Sequence, residues 1–430
     1  MSGITSKAKS IFRKNKDKTE VADGGQPNAD SSYPTADSSA AHPAAPHPET
    51  HEHLANALEA VVDKSNQPLT EEEINNGSVG GTALAPATAA NARSSWFSKF
   101  YSEDTIDKLF VHEHMGNWVI IRQTGDRIFE TMPIYTRIGM HLLFYGKAET
   151  ALLHWGRVET LLREQSVRQG RIYDNPDPKV VYPHILAFCK TYQVDTSILL
   201  EPDLHKYPTL NAFFSRKLKP EARPITAPED LSVVVSAADC RLTVFQNAAN
   251  ATNIWIKGRH FTVPNLLNDE EIIKSIGEDP AIAIFRLAPQ DYHRYHAPVA
   301  GVFSKLIKLP GEYYTVNPQA VNEPGFDVFT ANKRDVALID ARFDDSGATT
   351  PVAFVAIGAL LVASITWTKE VGEPLIKGED LGFFQYGGST VIALFPKGSV
   401  QFDEDLVANS KAGVETVLHI GDRIGAAAKA

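Results

Sequence analysis

Two apolar runs near the C-terminus of the chain flank a short turn-forming segment, Gly387-Gly-Ser-Thr390. Runs of this length, rich in β-branched and aromatic residues, predict strands. Glycine adopts positive φ without steric cost, so Gly-Gly between two strands is typical of a tight hairpin. This part of the chain is therefore predicted to be β structure that folds back on itself.

The bond between Gly388 and Ser389 in this turn also has a chemical property. The Ser389 hydroxyl can reach the carbonyl of Gly388, whose carbon no side chain shields. A nearby base would let the hydroxyl attack that carbonyl and convert the amide into an ester. A plain hairpin and a self-cleaving turn are thus two interpretations, and the second needs a base elsewhere in the chain.

Candidate groups for such a base lie upstream. Residues 285–301 place His293 and His296 beside aromatic residues and an arginine, and Asp239 ends a β-branched run. A serine, a histidine that accepts its proton and a carboxylate that fixes the tautomer are the groups that activate a hydroxyl. Their separation along the sequence argues neither for nor against such a triad.

The composition limits the class of protein. The 430 residues, with a net charge of −10 and 43% hydrophobic content, suit one large or two modest globular domains. The mild acidity argues against nucleic acid as a partner. Cys189 and Cys240 form neither a metal-ligand spacing nor a disulfide framework, which indicates a reducing compartment. Zinc bound by Asp291, His293 and His296 would lack a further clustered ligand, and we expect no metal.

The longest apolar run covers residues 352–365 and is interrupted by Gly358. A helix of that length is too short to cross about 30 Å of hydrocarbon, so buried strands explain the run better. We therefore expect no transmembrane helix. No apolar signal-peptide core follows Met1 either.

The chain is predicted to have three regions. Residues 1–95 form a disordered, low-complexity tail, because they have too few large apolar groups to offset chain entropy. Its basic start is either a solvated tail or a contact for an anionic membrane. Residues 96–225 form a helical region, since 132–145 and 151–162 carry apolar groups at helical spacing. That region either packs on the core or inserts partly into a membrane surface. Residues 226–430 form a β-rich catalytic core.

Within the β-rich region, one helix is predicted near Pro264–Ile276. Gly378-Glu-Asp-Leu-Gly382 and Gly421-Asp-Arg-Ile-Gly425 share a Gly-x-x-(Leu/Ile)-Gly pattern, which suits repeated tight turns in a sheet structure. The predicted fold class is α+β. It has a β-rich compact core of short, mostly antiparallel strands, an N-terminal helical region and a disordered N-terminal tail.

Five ordered segments of the chain resemble the phosphatidylserine decarboxylases, a family of pyruvoyl-dependent enzymes. They are Tyr207–Ile225, Arg286-Leu-Ala-Pro-Gln-Asp-Tyr-His-Arg-Tyr-His296, Gly311-Glu-Tyr-Tyr-Thr-Val-Asn-Pro318, Asn332-Lys-Arg334 and Gly387-Gly-Ser-Thr390. The likeness covers residues 130–425. It implies an enzyme that converts phosphatidylserine to phosphatidylethanolamine and CO2 after autocatalytic serinolysis.

The resemblance implies a role for each matched residue. Ser389 would be the self-cleavage serine and the precursor of a covalent pyruvoyl cofactor, with the chain cut between Gly388 and Ser389. His296 would be the general base, and Asp239 would be the carboxylate that orients it. His293 would handle protons during turnover. An Asp239→Asn change is then expected to slow maturation by leaving the histidine in the wrong tautomer.

The chain departs from the commoner family pattern at two positions, because Cys240 and Ala363 stand where glycine is usual. Cys240 adds a side chain beside the predicted triad. The Gly-Gly-Ser-Thr form favours the endomembrane branch over the mitochondrial one. The resemblance implies phosphatidylserine in a membrane surface and the protein's own cleaved α and β chains as partners, with no nucleic acid. It also implies an intracellular location, either peripheral on membranes or cytoplasmic.

Three alternative functions are compatible with the same residues. The first keeps the chemistry but acts on a free, aromatic or other, amino acid. The second is an N-terminal-nucleophile hydrolase in which Ser389 is freed by cleavage and keeps its amine. The third is a non-catalytic lipid-binding or regulatory protein that never cleaves.

Overall fold

The structure is a computed structural model, and it describes residues 117–130, 173–256, 261–312, 321, 327–359, 364–385 and 389–428. The predicted tail at 1–95 and the predicted helical segments at 132–145 and 151–162 lie outside the described residues.

Most of the described chain is strand. The strands in chain order are β1 (Asn117–Ile121), β2 (Arg127–Glu130), β3 (Val233–Val235), β4 (Cys240–Phe245), β5 (Ala281–Leu287), β6 (Arg294–His296), β7 (Gly301–Leu309), β8 (Arg334–Ala341), β9 (Thr350–Gly358), β10 (Ile365–Trp367), β11 (Pro374–Leu375), β12 (Asp380–Phe384), β13 (Ser389–Phe395), β14 (Val400–Phe402), β15 (Glu415–Leu418) and β16 (Arg423–Ala427).

The helices of the described residues are mostly short. They are α1 (Pro178–Tyr192), α2 (Leu210–Phe214), α3 (Ala248–Ile254), α4 (Val263–Leu267), α5 (Glu270–Ile276), α6 (Val328–Ala331) and α7 (Glu404–Lys411), with 3₁₀ turns at Thr196–Ile198, Leu204–Lys206 and Pro220–Ala222. Within this part of the chain, none of the helices is both long and apolar enough to traverse a bilayer.

The strands form one large sheet and two small ones. The large sheet has the order β11-β7-β8-β9-β13-β5-β4-β15-β1-β2, and the small sheets are β10-β12-β6 and β14-β16-β3. Among the described strands, β1 and β15 pair in parallel and the other pairs are antiparallel. The predicted β-rich core of mostly antiparallel strands is therefore confirmed.

The central strands of the large sheet are buried on both faces. Along β13, Val391, Ala393 and Phe395 belong to one core cluster, while Ile392 and Leu394 belong to the other. Successive side chains of a strand point to opposite faces, so each face of the sheet is covered by apolar packing. A strand buried on both sides has a continuous apolar sequence. The run that begins at residue 352 has the same origin, because it forms β9.

Two predictions about helices need correction. The helix predicted near Pro264–Ile276 is divided into α4 and α5. Asn268 ends α4 in the left-handed conformation, with φ of 50°, and the Asp269 side chain then caps α5 by accepting from the Ile272 N–H at 3.0 Å. Asparagine tolerates positive φ and aspartate is a strong N-cap, so the break is local in origin.

The second correction concerns the helical region predicted at 96–225. It contains α1 and α2, but residues 117–130 form the β1–β2 hairpin, so the helical prediction is wrong there. Val119, Ile120 and Ile121 pair in parallel with β15, which lies far along the chain. This β-branched triplet is stabilised as strand by a distant partner, and helical periodicity carries no information about such a partner.

A buried ionic network fastens the hairpin to the sheet. Arg241 of β4 lies directly opposite Arg286 of β5, an arrangement that repels unless carboxylates compensate it. Glu130 of β2 forms ion pairs with both arginines, Glu415 of β15 pairs with Arg286, and Asp291 pairs with Arg241. Burial raises the pKa values of Asp291 and Glu415, whereas the two arginines outweigh burial and lower the pKa of Glu130.

An Arg241→Gln change should destabilise the fold by at least about 3 kcal/mol, because it leaves buried carboxylates without their cation. The measurement is the free energy of urea unfolding, in a Ser389→Ala background that removes the predicted self-cleavage. The control is Lys397→Gln, which breaks the exposed 2.9 Å pair with Asp279. That change should cost no more than about 1 kcal/mol. Equal losses in the two variants would contradict a stabilising role for the network.

Candidate active site

Ser389 is the first residue of β13, which is paired on both sides. It lies opposite Leu287 of β5 and opposite Gly358 of β9. Pairing on two sides fixes the direction of the side chain, and strand alternation puts Ser389 on the same face as Val391. That face is covered by the core cluster to which Tyr295 of β6 and Phe384 of β12 belong. Ser389 therefore faces the small sheet that contains β6.

The two predicted histidines belong to this small sheet or to the loop that leads into it. His296 ends β6 and lies opposite Asp380 of β12, while the His293 carbonyl accepts from the Phe384 N–H at 2.9 Å. After Phe384, residues 385–388 lead directly to Ser389. The strand that precedes the predicted cleavage bond is therefore hydrogen-bonded to the histidine segment. The fold brings together the elements that carry the serine and both histidines.

The reactive atoms of these three residues are buried and have no hydrogen-bond partner. They are Ser389 Oγ, His293 Nε2 and His296 Nε2. Among the described residues, the other side-chain atoms in this state are Arg216 Nε, Thr243 Oγ1 and Thr390 Oγ1. An unpaired buried polar group costs about 1–3 kcal/mol, so its presence in a fold calls for an explanation. Half of this set consists of the groups that the sequence had singled out.

The other ring nitrogen of each histidine has a backbone partner. His293 Nδ1 lies 3.0 Å from the Asp291 carbonyl oxygen, and His296 Nδ1 lies 2.8 Å from the Gly378 carbonyl oxygen. A carbonyl only accepts, so Nδ1 carries the hydrogen in both rings and Nε2 keeps its lone pair. Burial lowers the pKa of His293 to about 3 and also lowers the pKa of His296. Both imidazoles are therefore neutral near pH 7 and able to accept a proton.

Asp239 does not make the hydrogen bond that was predicted for it. Its carboxylate accepts from Arg223, at 2.9 Å from Nε and 2.5 Å from Nη2, and from the Ile420 N–H at 3.0 Å. The Nδ1–H of His296 is held instead by the Gly378 carbonyl. A guanidinium that binds a carboxylate through two nitrogens is the stronger partner, which accounts for the difference. In this structure, then, a backbone carbonyl rather than Asp239 fixes the tautomer of His296.

Gly378 packs closely against the side chain of Ile225. Gly378 has φ of 79°, and a Cβ there would lie 2.4 Å from the Cδ1 of Ile225. Gly421 has φ of 85°, and a Cβ there would lie 2.8 Å from the same atom. The repeated Gly-x-x-(Leu/Ile)-Gly pattern thus places two glycine turns against one isoleucine side chain. The first of these turns supplies the carbonyl that orients His296.

The unusual Cys240 is buried in the core cluster that also contains Tyr295 and Phe384. Its Sγ lies 3.7 Å from Ser236 Oγ. Burial raises the pKa of this thiol well above its ordinary value. Ala363 and Gly388 lie outside the described residues.

Of the three residues weighed as zinc ligands, Asp291 has other partners. The Asp291 carboxylate pairs with Arg241 and accepts from the Ala288 N–H at 2.7 Å. In the part of the chain that the structure describes, no three histidine, cysteine or acidic side chains are grouped so that they could hold a metal ion.

Comparison with known proteins points to one family. A family profile described as "Phosphatidylserine decarboxylase" matches residues 210–426. Phosphatidylserine decarboxylase proenzyme 2 of Oryza sativa subsp. japonica is 40% identical over 307 residues, which are 71% of this chain and 48% of that protein. Proenzyme 2 of Saccharomyces cerevisiae is 34% identical over 374 residues, 86% of this chain and 31% of that protein.

A bacterial relative matches along nearly its whole length. The phosphatidylserine decarboxylase proenzyme of Fusobacterium nucleatum is 33% identical over 307 residues, which are 71% of this chain and 96% of that protein. By contrast, the chain spans about half or less of the eukaryotic relatives it matches.

The fold is a β-rich core with a buried serine at the start of a central strand and two buried, neutral imidazoles in the segment that pairs with β12. The chain belongs to the phosphatidylserine decarboxylase family. The resemblance stated from the five ordered segments is confirmed.

The lowered pKa of His293 predicts a loss of stability in acid. The unfolded chain takes up a proton near the ordinary histidine pKa of about 6.5, whereas the folded chain resists protonation down to a pKa of about 3. Stability contributed by the neutral ring is therefore complete above about pH 6.5 and falls by about 1.4 kcal/mol for each pH unit below it.

Urea unfolding of the Ser389→Ala chain measures this effect against the same chain with His293→Gln. Between about pH 6.5 and pH 5, the free energy of unfolding should fall by about 2 kcal/mol more when His293 is present. Carboxylates common to both chains cancel in the comparison. Identical pH dependence in the two chains would show that His293 titrates normally.

Proposed function

We propose that this chain is a pyruvoyl-dependent decarboxylase that converts phosphatidylserine to phosphatidylethanolamine and CO2 after cleaving its own backbone between Gly388 and Ser389. The observation that supports it is the buried, unpartnered state of Ser389 Oγ, His293 Nε2 and His296 Nε2 on neighbouring elements. The names of the relatives, which are phosphatidylserine decarboxylase proenzymes, support the substrate and the self-processing.

In the proposed maturation, His296 is the base. Its Nε2 accepts the Ser389 hydroxyl proton while Oγ bonds to the Gly388 carbonyl carbon. The C–N bond then breaks as the His296 imidazolium returns its proton to the departing nitrogen, which leaves an ester to Oγ and a free amine on Ser389. Loss of the Ser389 α-proton breaks the Cβ–O bond and leaves a Gly388 carboxylate and a dehydroalanine. Water converts the latter to a pyruvoyl group and ammonia.

In the proposed turnover, His293 is the proton carrier. A pyruvoyl group formed from Ser389 would supply an electrophilic carbonyl for the substrate amine and an electron sink for decarboxylation. His293 Nε2 is buried and has no hydrogen-bond partner, so it is placed to pass a proton to the substrate carbon. Asp239 acts indirectly, because its carboxylate anchors Arg223 and the Ile420 N–H beside the histidine segment.

The two chains produced by the proposed cut would stay associated. The chain that begins at Ser389 contains β13, which pairs with β5 and β9, and β15, which pairs with β1 and β4. Strands interior to a sheet cannot leave without breaking two ladders. The α and β chains are therefore each other's first partners. Phosphatidylserine would be met at a membrane surface, which makes a peripheral, endomembrane location our proposal.

Ser389→Ala should yield one uncleaved, inactive chain, because no hydroxyl remains to attack. Thr390→Val is the matched control: Thr390 Oγ1 is also buried and unpartnered, but strand alternation directs it to the opposite face. That variant should still cleave. Intact mass spectrometry measures both outcomes. In the unmodified protein, the small chain should be lighter than a serine-initiated chain by the mass of ammonia.

Other results of the same measurement would contradict the proposal. A small chain that retains its amine would indicate an N-terminal-nucleophile hydrolase, and a single full-length chain would indicate a non-catalytic protein. The substrate is decided by measuring CO2 released from phosphatidylserine vesicles and from free aromatic amino acids. Release from the amino acids alone would overturn the lipid assignment.

A further inference from the structure

We propose that the Arg216 guanidinium binds the phosphate group of the substrate headgroup, in a cleft beside the two histidines. This inference rests on the proposed function and adds the residue that would recognise the anionic part of the lipid.

The cleft lies where four segments and Asp239 meet. It has a volume of about 200 Å³ and is formed by the end of α1 with residues 193–199, by residues of the 216–223 segment, by 290–292 and by 417–419 at the end of β15. Its lining includes Arg216, Asp239 and Tyr292. Its lining mixes charged and polar side chains with apolar ones, a composition that suits a small polar ligand.

Arg216 is a buried cation without an anion. Its side chain donates only to carbonyl oxygens, those of Phe213 and Phe214 at 3.5 Å, Gln290 at 3.2 Å and Asp291 at 3.3 Å. Within the described residues it forms no ion pair with a carboxylate, and its Nε has no acceptor at all. A guanidinium stays protonated even when buried. The carboxylates that attract its charge, Asp239 and Asp291, are paired with Arg223 and Arg241 instead.

The other charged groups that line the cleft are already engaged. Arg223 is paired with Asp239, and Asp291 is paired with Arg241 outside the cleft lining. Asp195 is exposed and accepts from the Ser197 N–H at the start of a 3₁₀ turn. Pairing therefore leaves Arg216 as the cation available to an incoming anion.

A second buried arginine, Arg334, shows that donating only to carbonyl oxygens does not by itself mark an arginine as an anion-binding site. Arg334 also donates only to carbonyls, at 2.8 Å from Nε, 2.6 Å from Nη1 and 2.8 Å from Nη2. All three of its nitrogens have acceptors, and it does not line the cleft. Its hydrogen bonding is complete, whereas that of Arg216 is not.

The cleft adjoins both histidines. Arg216 Nη2 and His293 Nδ1 donate to the same Asp291 carbonyl oxygen, so the two nitrogens are at most about 6.3 Å apart, given their distances of 3.3 and 3.0 Å. The Tyr292 ring lines the cleft, and its centroid lies 5.8 Å from that of the His296 ring. An anion on Arg216 would therefore sit next to the proposed proton carrier.

The phosphate suits this position better than the carboxylate of the same headgroup. Pairing the departing carboxylate with a guanidinium would stabilise the ground state and disfavour loss of CO2. The phosphate keeps its charge throughout the reaction, so binding it lowers KM without hindering chemistry. It is also separated from the reacting amine by only a few bonds. Guanidinium groups match phosphate oxygens through paired N–H donors.

The test compares Arg216→Gln and Arg216→Lys with the control Arg334→Gln. Self-cleavage is first checked by mass, and kcat and KM are then measured with phosphatidylserine in detergent micelles. Arg216→Gln should cleave normally, raise KM at least about tenfold and leave kcat within a factor of about three. Arg216→Lys, which keeps the charge, should recover part of the loss. An equal rise of KM in Arg334→Gln would mean that the effect is structural and would overturn the proposal.

Competition separates phosphate recognition from the rest of the headgroup. In the unmodified protein, inorganic phosphate and glycerophosphoserine should compete with the lipid at constant ionic strength, while acetate should not. Inhibition should disappear in Arg216→Gln. If neither inorganic phosphate nor glycerophosphoserine competes with the lipid, the proposal is overturned. This competition test remains decisive even if the Arg216 variants fail to fold.

A binding measurement distinguishes failure of this inference from failure of the proposed function. Calorimetry with glycerophosphoserine on the uncleaved Ser389→Ala chain requires no turnover. Binding that is lost when Arg216→Gln is added supports the phosphate site even if no CO2 is released from phosphatidylserine. No binding to this chain, together with no competition in the mature protein, excludes the site.

Discussion

The placement of the site depends on one constraint, which is the pairing of β13 between β5 and β9. Because both ladders are fixed, Ser389 at the start of the strand has a single facing, toward the small sheet of β6 and β12. The same β12 that pairs with the histidine strand runs into the segment before Ser389. Sheet hydrogen bonding, rather than any local interaction of Ser389, thus sets the face that Ser389 occupies and ties the segment before it to the histidine strand.

Sequence reasoning could predict the chemistry-bearing residues but not all their partners. Ser389, His293 and His296 stand out because their residue types and neighbours are unusual, and the β-rich core follows from its short apolar runs. The partner of Asp239 was predicted wrongly because Arg223 competes for it, and only tertiary packing decides such a competition. The β1–β2 hairpin was missed for a similar reason, since its pairing with β15 is non-local.

The loop between β5 and β6 links structural and functional parts of the molecule through Asp291. Its carboxylate belongs to the buried ionic network that holds the β1–β2 hairpin. Its carbonyl oxygen accepts from His293 and from Arg216. Asp291 therefore couples the β1–β2 hairpin to the orientation of the His293 imidazole and the Arg216 guanidinium. The hairpin lies before the region that the family profile matches. The buried ionic network thus holds the β1–β2 hairpin and also fixes the position of the Asp291 carbonyl, to which His293 and Arg216 donate.

The interior location of β13 has a consequence for the stability of the protein after the proposed cut. A single chain can unfold and refold as one molecule, because its central strand stays tethered to its neighbours. If the backbone is cut at the start of β13 as proposed, refolding becomes an encounter between two molecules, and its rate falls with dilution. The cleaved protein would then be kinetically stable: it would persist because it unfolds slowly, not because unfolding is reversible. Each molecule that unfolds would be lost from the active protein.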